Sequence, residues 1–202
     1  MTAKKHPFDG LVIKGSEAPT EKKSRDDVKI KFSRAIIRDY IPAWEKIEAP
    51  RGIKFLALIM AQKEGFEIGT RSHRTNNPGN IGNTDAGKNR SFPTLQAGIQ
   101  GQINFLTGIA KGTNKNYPLG KKKTIPAYYS PEIAKNQKTY QLEPFCPGYI
   151  FDPYTGRLDQ FIKIYSTGAR QKNTYLSLIR SYFKNLGFEI SDATTLAEIL
   201  EL

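Results

Sequence analysis

The chain reads as a mainly helical α+β fold, in which a buried central helix ending in an acid lies beside a small irregular β lobe. Three observations carry that expectation. Ile53 to Lys63 is apolar on nearly every side, the mark of a helix enclosed by others. Residues 65 to 94 are rich in Gly, Asn, Thr and Ser and poor in apolar side chains, which suits a loop or a small hairpin. Elsewhere apolar residues recur at three- and four-residue spacing, the period of a half-buried helix.

Taken in order, residues 1–30 form an extended basic arm punctuated by glycine, proline and lysine, with Leu11-Val12-Ile13 as its one candidate strand. It is either a tail or an anchor to a partner. From Lys31 a helical face runs through Phe32, Ala35, Ile36, Tyr40, Ala43, Trp44 and Ile47, and Pro42 is expected to kink or divide it. Glu48-Ala49-Pro50-Arg51-Gly52 breaks the pattern before the central helix. Glu64-Gly65 ends that helix, because glycine suits the left-handed position just past a helix terminus.

Leu95 to Ile109 forms the next helix, through Ile99, Ile103, Phe105 and Leu106. Residues 110–157 then change character: Lys111, Lys115 and Lys121-Lys122-Lys123 are set among tyrosines and prolines. A connection of that length is either functional or an insertion. Leu158 to Tyr165 and Asn173 to Leu186 read as two closing helices. Residues 189–202 read as an acidic C-terminal tail with a turn or two of amphipathic helix, so the folded domain is expected to span 31–188.

With 202 residues the chain can bury a full core without disulfides or metals. Its one cysteine, Cys146, has no histidine nearby to make it a catalytic thiol, and with only His6 and His73 besides, no metal site and no cofactor are expected. The net charge of +12 calls for a polyanionic partner, either nucleic acid or a bacterial wall with its carboxylates and phosphate polymers. Lys121 to Lys123 with Tyr117, Tyr128 and Tyr129 fit a stacking surface for single-stranded nucleic acid, an anionic-wall grip or a solvated loop beside buried tyrosines, and the last is favoured. The longest apolar run, Phe55 to Ala61, is too short to span a bilayer, and no apolar stretch follows the basic start, so neither a membrane segment nor a signal peptide is predicted.

Glu64 is the residue most suited to chemistry. Phe55, Leu58, Ile59, Met60 and Phe66 surround it in sequence, and a partly desolvated carboxyl can stay protonated near neutral pH. A negative charge at a helix C-terminus is electrostatically unfavourable, so its presence there asks for a reason. The cluster Arg74-Thr75-Asn76-Asn77-Pro78-Gly79-Asn80-Ile81-Gly82 comes about ten residues later. Its asparagines offer donors and acceptors to sugar hydroxyl and acetamido groups, although Asn-Pro-Gly-Asn is also ordinary turn chemistry.

The stretch Ile41 to Ile47 together with Ala61-Gln62-Lys63-Glu64-Gly65-Phe66 resembles the entry and acid-bearing helix of bacterial and phage wall glycosidases. Asn76 to Ile81 is similar to the Asn-Asn-Pro-Gly-Asn-Ile signature of phage-associated lysozyme-like proteins. In those proteins a phenylalanine, a short spacer, a glycine and a helix come next, and Phe92-Pro93-Thr94-Leu95-Gln96-Ala97-Gly98-Ile99 fits that order. Leu158 to Tyr165 with Asn173-Thr174-Tyr175-Leu176 fits the closing pattern. The likeness spans about residues 35–109 and 158–188, in order. It departs from the family in two places. Gly65 stands where serine or threonine often follows the glutamate, and residues 110–157 look inserted relative to compact members.

The resemblance implies a lysozyme-like fold and cleavage of the glycan strand of peptidoglycan, by a lytic transglycosylase, a muramidase or an N-acetylglucosaminidase. Glu64 would be the catalytic acid. Asn76, Asn77, Gly79, Asn80 and Ile81 would form a substrate-facing loop, and Tyr175 a cleft tyrosine. A hydrolase usually needs a second carboxylate, for which the loop region offers only Glu67 and Asp85. That thin supply favours a single-acid route. In it Glu64 protonates the glycosidic oxygen, then takes the proton of the substrate's own 6-hydroxyl as an anhydro ring closes. The phage-like signature suggests a virion-borne, bacteriolytic enzyme acting on the bacterial wall during bacteriophage genome entry, with other virion proteins as partners and nucleic acid a lesser one. An endolysin and an inactive structural virion protein are the alternatives.

Overall fold

The computed structural model describes residues 31–82, 90–124, 150–166 and 169–202, with the backbone alone for Ile150 and residues 169–173. The expectations for residues 1–30 and for Asp85, Tyr128, Tyr129 and Cys146 lie outside the described residues. The fold is mainly α, with 54% helix against 4% strand.

Pro42 does divide the first helical stretch. Ile36–Tyr40 is a π-helix, and α1 (Ile41–Glu45) comes directly after it. A proline has no N–H to donate to the preceding turn, and near the start of a new helix none is needed. The wide turn closes with the Ile41 N–H donating to the Ile36 carbonyl, and it keeps Ile36 and Tyr40 on the buried side.

Helix α2 (Arg51–Lys63) is the centre of the molecule, as its all-round apolar sequence demands. Ile53, Phe55, Leu56, Leu58, Ile59 and Met60 are all buried. Burying such side chains stabilises a fold by roughly 1.5–3 kcal/mol each. Lys54 is the charged residue set among these apolar ones. Its ammonium donates to the Ile47 carbonyl at 2.6 Å and lies 4.4 Å over the Trp44 ring, clamping α2 to the end of α1.

Short α3 (Arg71–Arg74) starts on Thr70, whose hydroxyl accepts from the His73 N–H. Helix α4 (Leu95–Ala110) starts on Thr94, which caps the Ala97 N–H at 3.1 Å. After the antiparallel pair β1 (Lys123–Thr124) and β2 (Ile150–Phe151) come α5 (Leu158–Tyr165), α6 (Ala169–Asn185) and α7 (Leu196–Glu201). Helix α2 packs against α4, α6 and α7, while α5 packs on α6.

The structure refines three expectations. Among the described residues of 65–94 there is no strand; those residues form α3 and turns, the loop alternative, and among the described residues the strands, β1 and β2, lie in the inserted segment. Positive φ at Gly65, Gly69, Asn76, Asn80 and Gly82 interrupts any extended run, and asparagine side chains take over the bonding a ladder would provide.

Residues 189–202 carry the expected short amphipathic helix, and it is packed against the core. Thr195 and Glu198 form a reciprocal capping box, and Leu196 and Ile199 are buried. Gly52 lets α7 approach closely, since a Cβ there would meet the Ile199 carbonyl oxygen at 2.0 Å. Packed residues therefore extend past 188, to Ile199. Finally, Tyr117 is a core residue packed among Phe105, Tyr154 and Phe161, as the favoured reading of a solvated loop beside buried tyrosines has it, and is not available to a nucleic-acid base.

Candidate active site

Glu64 caps the C-terminus of α2. The Phe66 N–H donates to the Ala61 carbonyl at 3.0 Å and the Gly65 N–H to the Gln62 carbonyl at 3.2 Å. This paired pattern needs a left-handed residue just past the cap, and Gly65 supplies it at φ 70°. The chain turns away there, and the Glu64 side chain points off the end of the helix. Its carboxyl is half-buried and doubly held: Asn80 Nδ2 donates to Oε2 at 3.1 Å, and the Tyr175 hydroxyl donates to Oε1 at 3.2 Å.

Opposing effects set its acidity. Burial pushes the carboxyl pKa up, while the donations from Asn80 and Tyr175 and the charges of Lys63 and Arg71 pull it down; burial prevails. The negative end of the α2 dipole adds to the upward push. Burial, together with the adjacent Glu64 charge, holds the phenols of Tyr165 and Tyr175 far above their usual range, so both remain donors.

The loop that carries Asn80 is built from side chain to backbone. Asn76 and Asn80 sit at φ 51° and 49°, a left-handed conformation that asparagine tolerates better than most residues. Asn76 Nδ2 donates to the Phe92 carbonyl at 3.1 Å. Asn77 is fully buried. Its Nδ2 donates to the carbonyls of Ile81 and Arg90 at 3.0 and 3.1 Å, and its Oδ1 accepts from the Ile81 N–H at 3.0 Å. The Gly79 carbonyl accepts from the Tyr165 hydroxyl, which ties the loop to α5. His73 joins α3 to the π-helix, with Nε2 at 3.3 Å from Asp39 Oδ2.

The loop rests on α4 at two glycines. A Cβ on Gly98 would lie 1.7 Å from the Asn76 carbonyl oxygen, and one on Gly79 would lie 2.7 Å from the Gln102 amide nitrogen. Gln102 is itself buried, donating to the Ala57 carbonyl at 2.9 Å and accepting from the Tyr40 hydroxyl at 3.3 Å. One carboxamide thus joins the π-helix, α2 and α4 beneath the loop.

Of the residues singled out in the sequence, Glu64, Asn80 and Tyr175 converge. Asn77, Gly79 and Ile81 are buried, and the hydrogen bonds of Asn76, Asn77 and Gly79 described above hold the loop's shape. Glu67 turns back on its own chain, accepting from the Ile68 N–H at 2.8 Å. Sequence reasoning missed Gln102 and the anchoring role of Tyr165. A glutamine four residues after a glycine, on the apolar face of α4, was the available signal for the first.

No protein-family model, curated protein or solved structure matches the chain. Among the described residues no helix is long and apolar enough to cross a membrane.

Proposed function

We propose that the protein cleaves the glycan strand of peptidoglycan, with Glu64 as the general acid. The observation that carries this reading is the Glu64 carboxyl itself: half-buried, raised in pKa, and gripped by a loop asparagine and a tyrosine hydroxyl. A structural glutamate at a helix end would be driven to ionise by a full ion pair. This one is kept closer to the protonated form a leaving oxygen needs. The lysozyme-like arrangement implied by the sequence motifs accords with a central helix ending in the acid and a loop folded over it.

The single-acid route suits these residues best. Glu64 protonates the glycosidic oxygen as the C–O bond breaks, and the resulting carboxylate then accepts the proton of the substrate's 6-hydroxyl as that oxygen closes on the anomeric carbon. Glu64 ends as it began, and no water is consumed. The engagement of Glu67 with its own backbone supports this route over a two-carboxylate hydrolysis. Action from a phage particle on the host wall is the setting that the Asn76 to Ile81 signature supports.

The test is mass spectrometry of fragments released from purified peptidoglycan by wild type and Glu64→Gln. Anhydro-ended products lost in the variant are expected. Reducing-end products would make the enzyme a hydrolase. Release undiminished in the variant would remove Glu64 from the chemistry, and no release by wild type from several wall types would favour a structural virion protein.

A further inference from the structure

Both oxygens of the Glu64 carboxyl are held, but by donors of different kinds. Oε2 accepts an N–H of Asn80 at 3.1 Å, and the same Nδ2 lies 3.5 Å from the Glu64 backbone carbonyl oxygen. That second contact fixes which way the carboxamide points, since a reversed amide would set its own oxygen against two others. Oε1 accepts from the Tyr175 hydroxyl at 3.2 Å. An amide nitrogen can only donate, whereas a hydroxyl donates or accepts by rotating one hydrogen. Asn80 is also the less movable of the two partners: it sits at φ 49° on the turn that Asn77 locks from within.

The two oxygens are therefore unequal once the acid is protonated. A proton on Oε2 would leave the Asn80 N–H facing a hydroxyl oxygen, a poorer acceptor than a carbonyl oxygen. A proton on Oε1 keeps Oε2 as that carbonyl oxygen and asks only that the Tyr175 hydrogen rotate. We propose that Asn80 is a positioning residue that confines the working proton of Glu64 to Oε1. This rests on the glycan-cleaving reading of Glu64 and assigns its chemistry to one atom. The Oε1–H bond breaks as the proton joins the glycosidic oxygen, which leaves with the electron pair of its C–O bond. Oε1 then takes the proton of the 6-hydroxyl as that oxygen closes on the anomeric carbon.

The test is kcat and KM for cleavage of soluble peptidoglycan strands across pH, for the full chain as wild type, Asn80→Asp and Asn80→Gly. Aspartate keeps the shape of asparagine and tolerates the left-handed turn, but it sets an acceptor against Oε2 and draws the proton there. Its charge also keeps Glu64 protonated to higher pH. Asn80→Asp should therefore lower kcat about tenfold, the worth of one hydrogen bond, even as the alkaline limb of the profile moves up. KM should stay within about twofold of wild type, since the loss lies in the chemical step. Glycine keeps the turn without the amide and leaves the oxygens equivalent, so Asn80→Gly should about halve kcat on the acid plateau, where Glu64 is fully protonated.

The opposite sign refutes the assignment: if Asn80 only tunes acidity, Asn80→Asp cleaves faster than wild type near neutral pH and equally fast on the acid plateau. A change confined to KM would make Asn80 a ligand of the glycan and overturn the assignment too. Should thermal melting show Asn80→Asp unfolded, Asn80→Gly decides, and an acid plateau equal to wild type overturns the inference. In each of these cases cleavage by wild type leaves the glycan reading standing. No cleavage by wild type, or cleavage that Glu64→Gln retains, would overturn both.

Discussion

Gly98→Ala tests whether α4 and the Asn80 loop are one mechanical unit. The added methyl would sit 1.7 Å from the Asn76 carbonyl oxygen and 2.9 Å from its carbon, both backbone atoms that cannot swing aside. Reaching even 3.0 Å from that oxygen requires a retreat of about 1.3 Å by the loop or the helix. Asn80 lies four residues beyond Asn76, and its donation to Glu64 spans 3.1 Å, so a shift of that size in the loop would break it.

Overpacking typically costs about 1–3 kcal/mol, and a lost hydrogen bond to a charged group about 1.5–3 kcal/mol. Alanine returns about 1 kcal/mol through its helix preference. The net loss should be about 2 kcal/mol or more, which at a urea slope of about 2 kcal/mol per molar lowers the midpoint by about 1 M. Fluorescence of buried Trp44, the sole tryptophan, reports the transition.

Gly101→Ala is the control. Its methyl would meet the edge of the Phe92 ring at 2.7 Å, a side chain with room to rotate. It should be close to neutral. A Gly98→Ala midpoint equal to or above wild type would refute the claim that the loop is seated on α4.

Glu64→Gln should stabilise the protein at neutral pH. Because burial raises the Glu64 pKa above its ordinary 4.5, the carboxyl's favourable contribution is present below that pH and is lost as pH rises through the folded pKa. The Tm of the variant should exceed that of wild type near pH 7 and converge with it in acid; a gain of about 1 kcal/mol corresponds to about 2–4 °C for a domain of this size. A pH-independent gap would point elsewhere. Tyr175→Phe removes a donation that lowers the Glu64 pKa, so the alkaline limb of the pH–rate profile for wall cleavage should move to higher pH. The accompanying loss in rate should be about ten- to a hundredfold, from a charged hydrogen bond of about 1.5–3 kcal/mol. Gln102→Leu should cost about 1–3 kcal/mol in urea unfolding, because it strands the buried Tyr40 hydroxyl and removes the extra donation to the Ala57 carbonyl.

The helices were legible because their signals are local. The all-round apolar run gave α2, the spacing through Ile99, Ile103, Phe105 and Leu106 gave α4, and Leu158 to Tyr165 was read to the residue. The π-helix was not legible, since a widened turn before Pro42 carries no composition of its own. Helix α7 was underread because its burial depends on Gly52, which lies far away in sequence. The choice between loop and hairpin for residues 65–94 stayed open for a related reason: polar, glycine-rich composition announces turns but not whether strands connect them. In the site, Glu64, Asn80 and Tyr175 were legible from residue type and motif. The division of labour within the loop was not, because Asn77 and Asn80 are the same residue in similar surroundings and only burial separates them.

That division stems from what a desolvated acid requires. A carboxyl raised in pKa by burial is useful only if its position is fixed by groups that do not themselves ionise it fully, and neutral donors meet that condition where an arginine would not. Asn80 and Tyr175 are such donors, but each needs its own restraint. Tyr175 is buried in the core and packs edge-on to Tyr165 at 6.3 Å between ring centres. Asn80 hangs on a left-handed turn whose shape Asn77 locks from within, while Tyr165 holds the neighbouring Gly79 carbonyl. Tyr165 thus braces both arms of the grip on Glu64. Gly65 completes the arrangement: it ends α2 at the one point where the acid projects beyond the bundle, and a Cβ there would meet open space, so its φ alone demands glycine. The glycine found where the resembled family often has serine or threonine is therefore a requirement of this helix end, and it leaves the carboxyl's own contacts untouched.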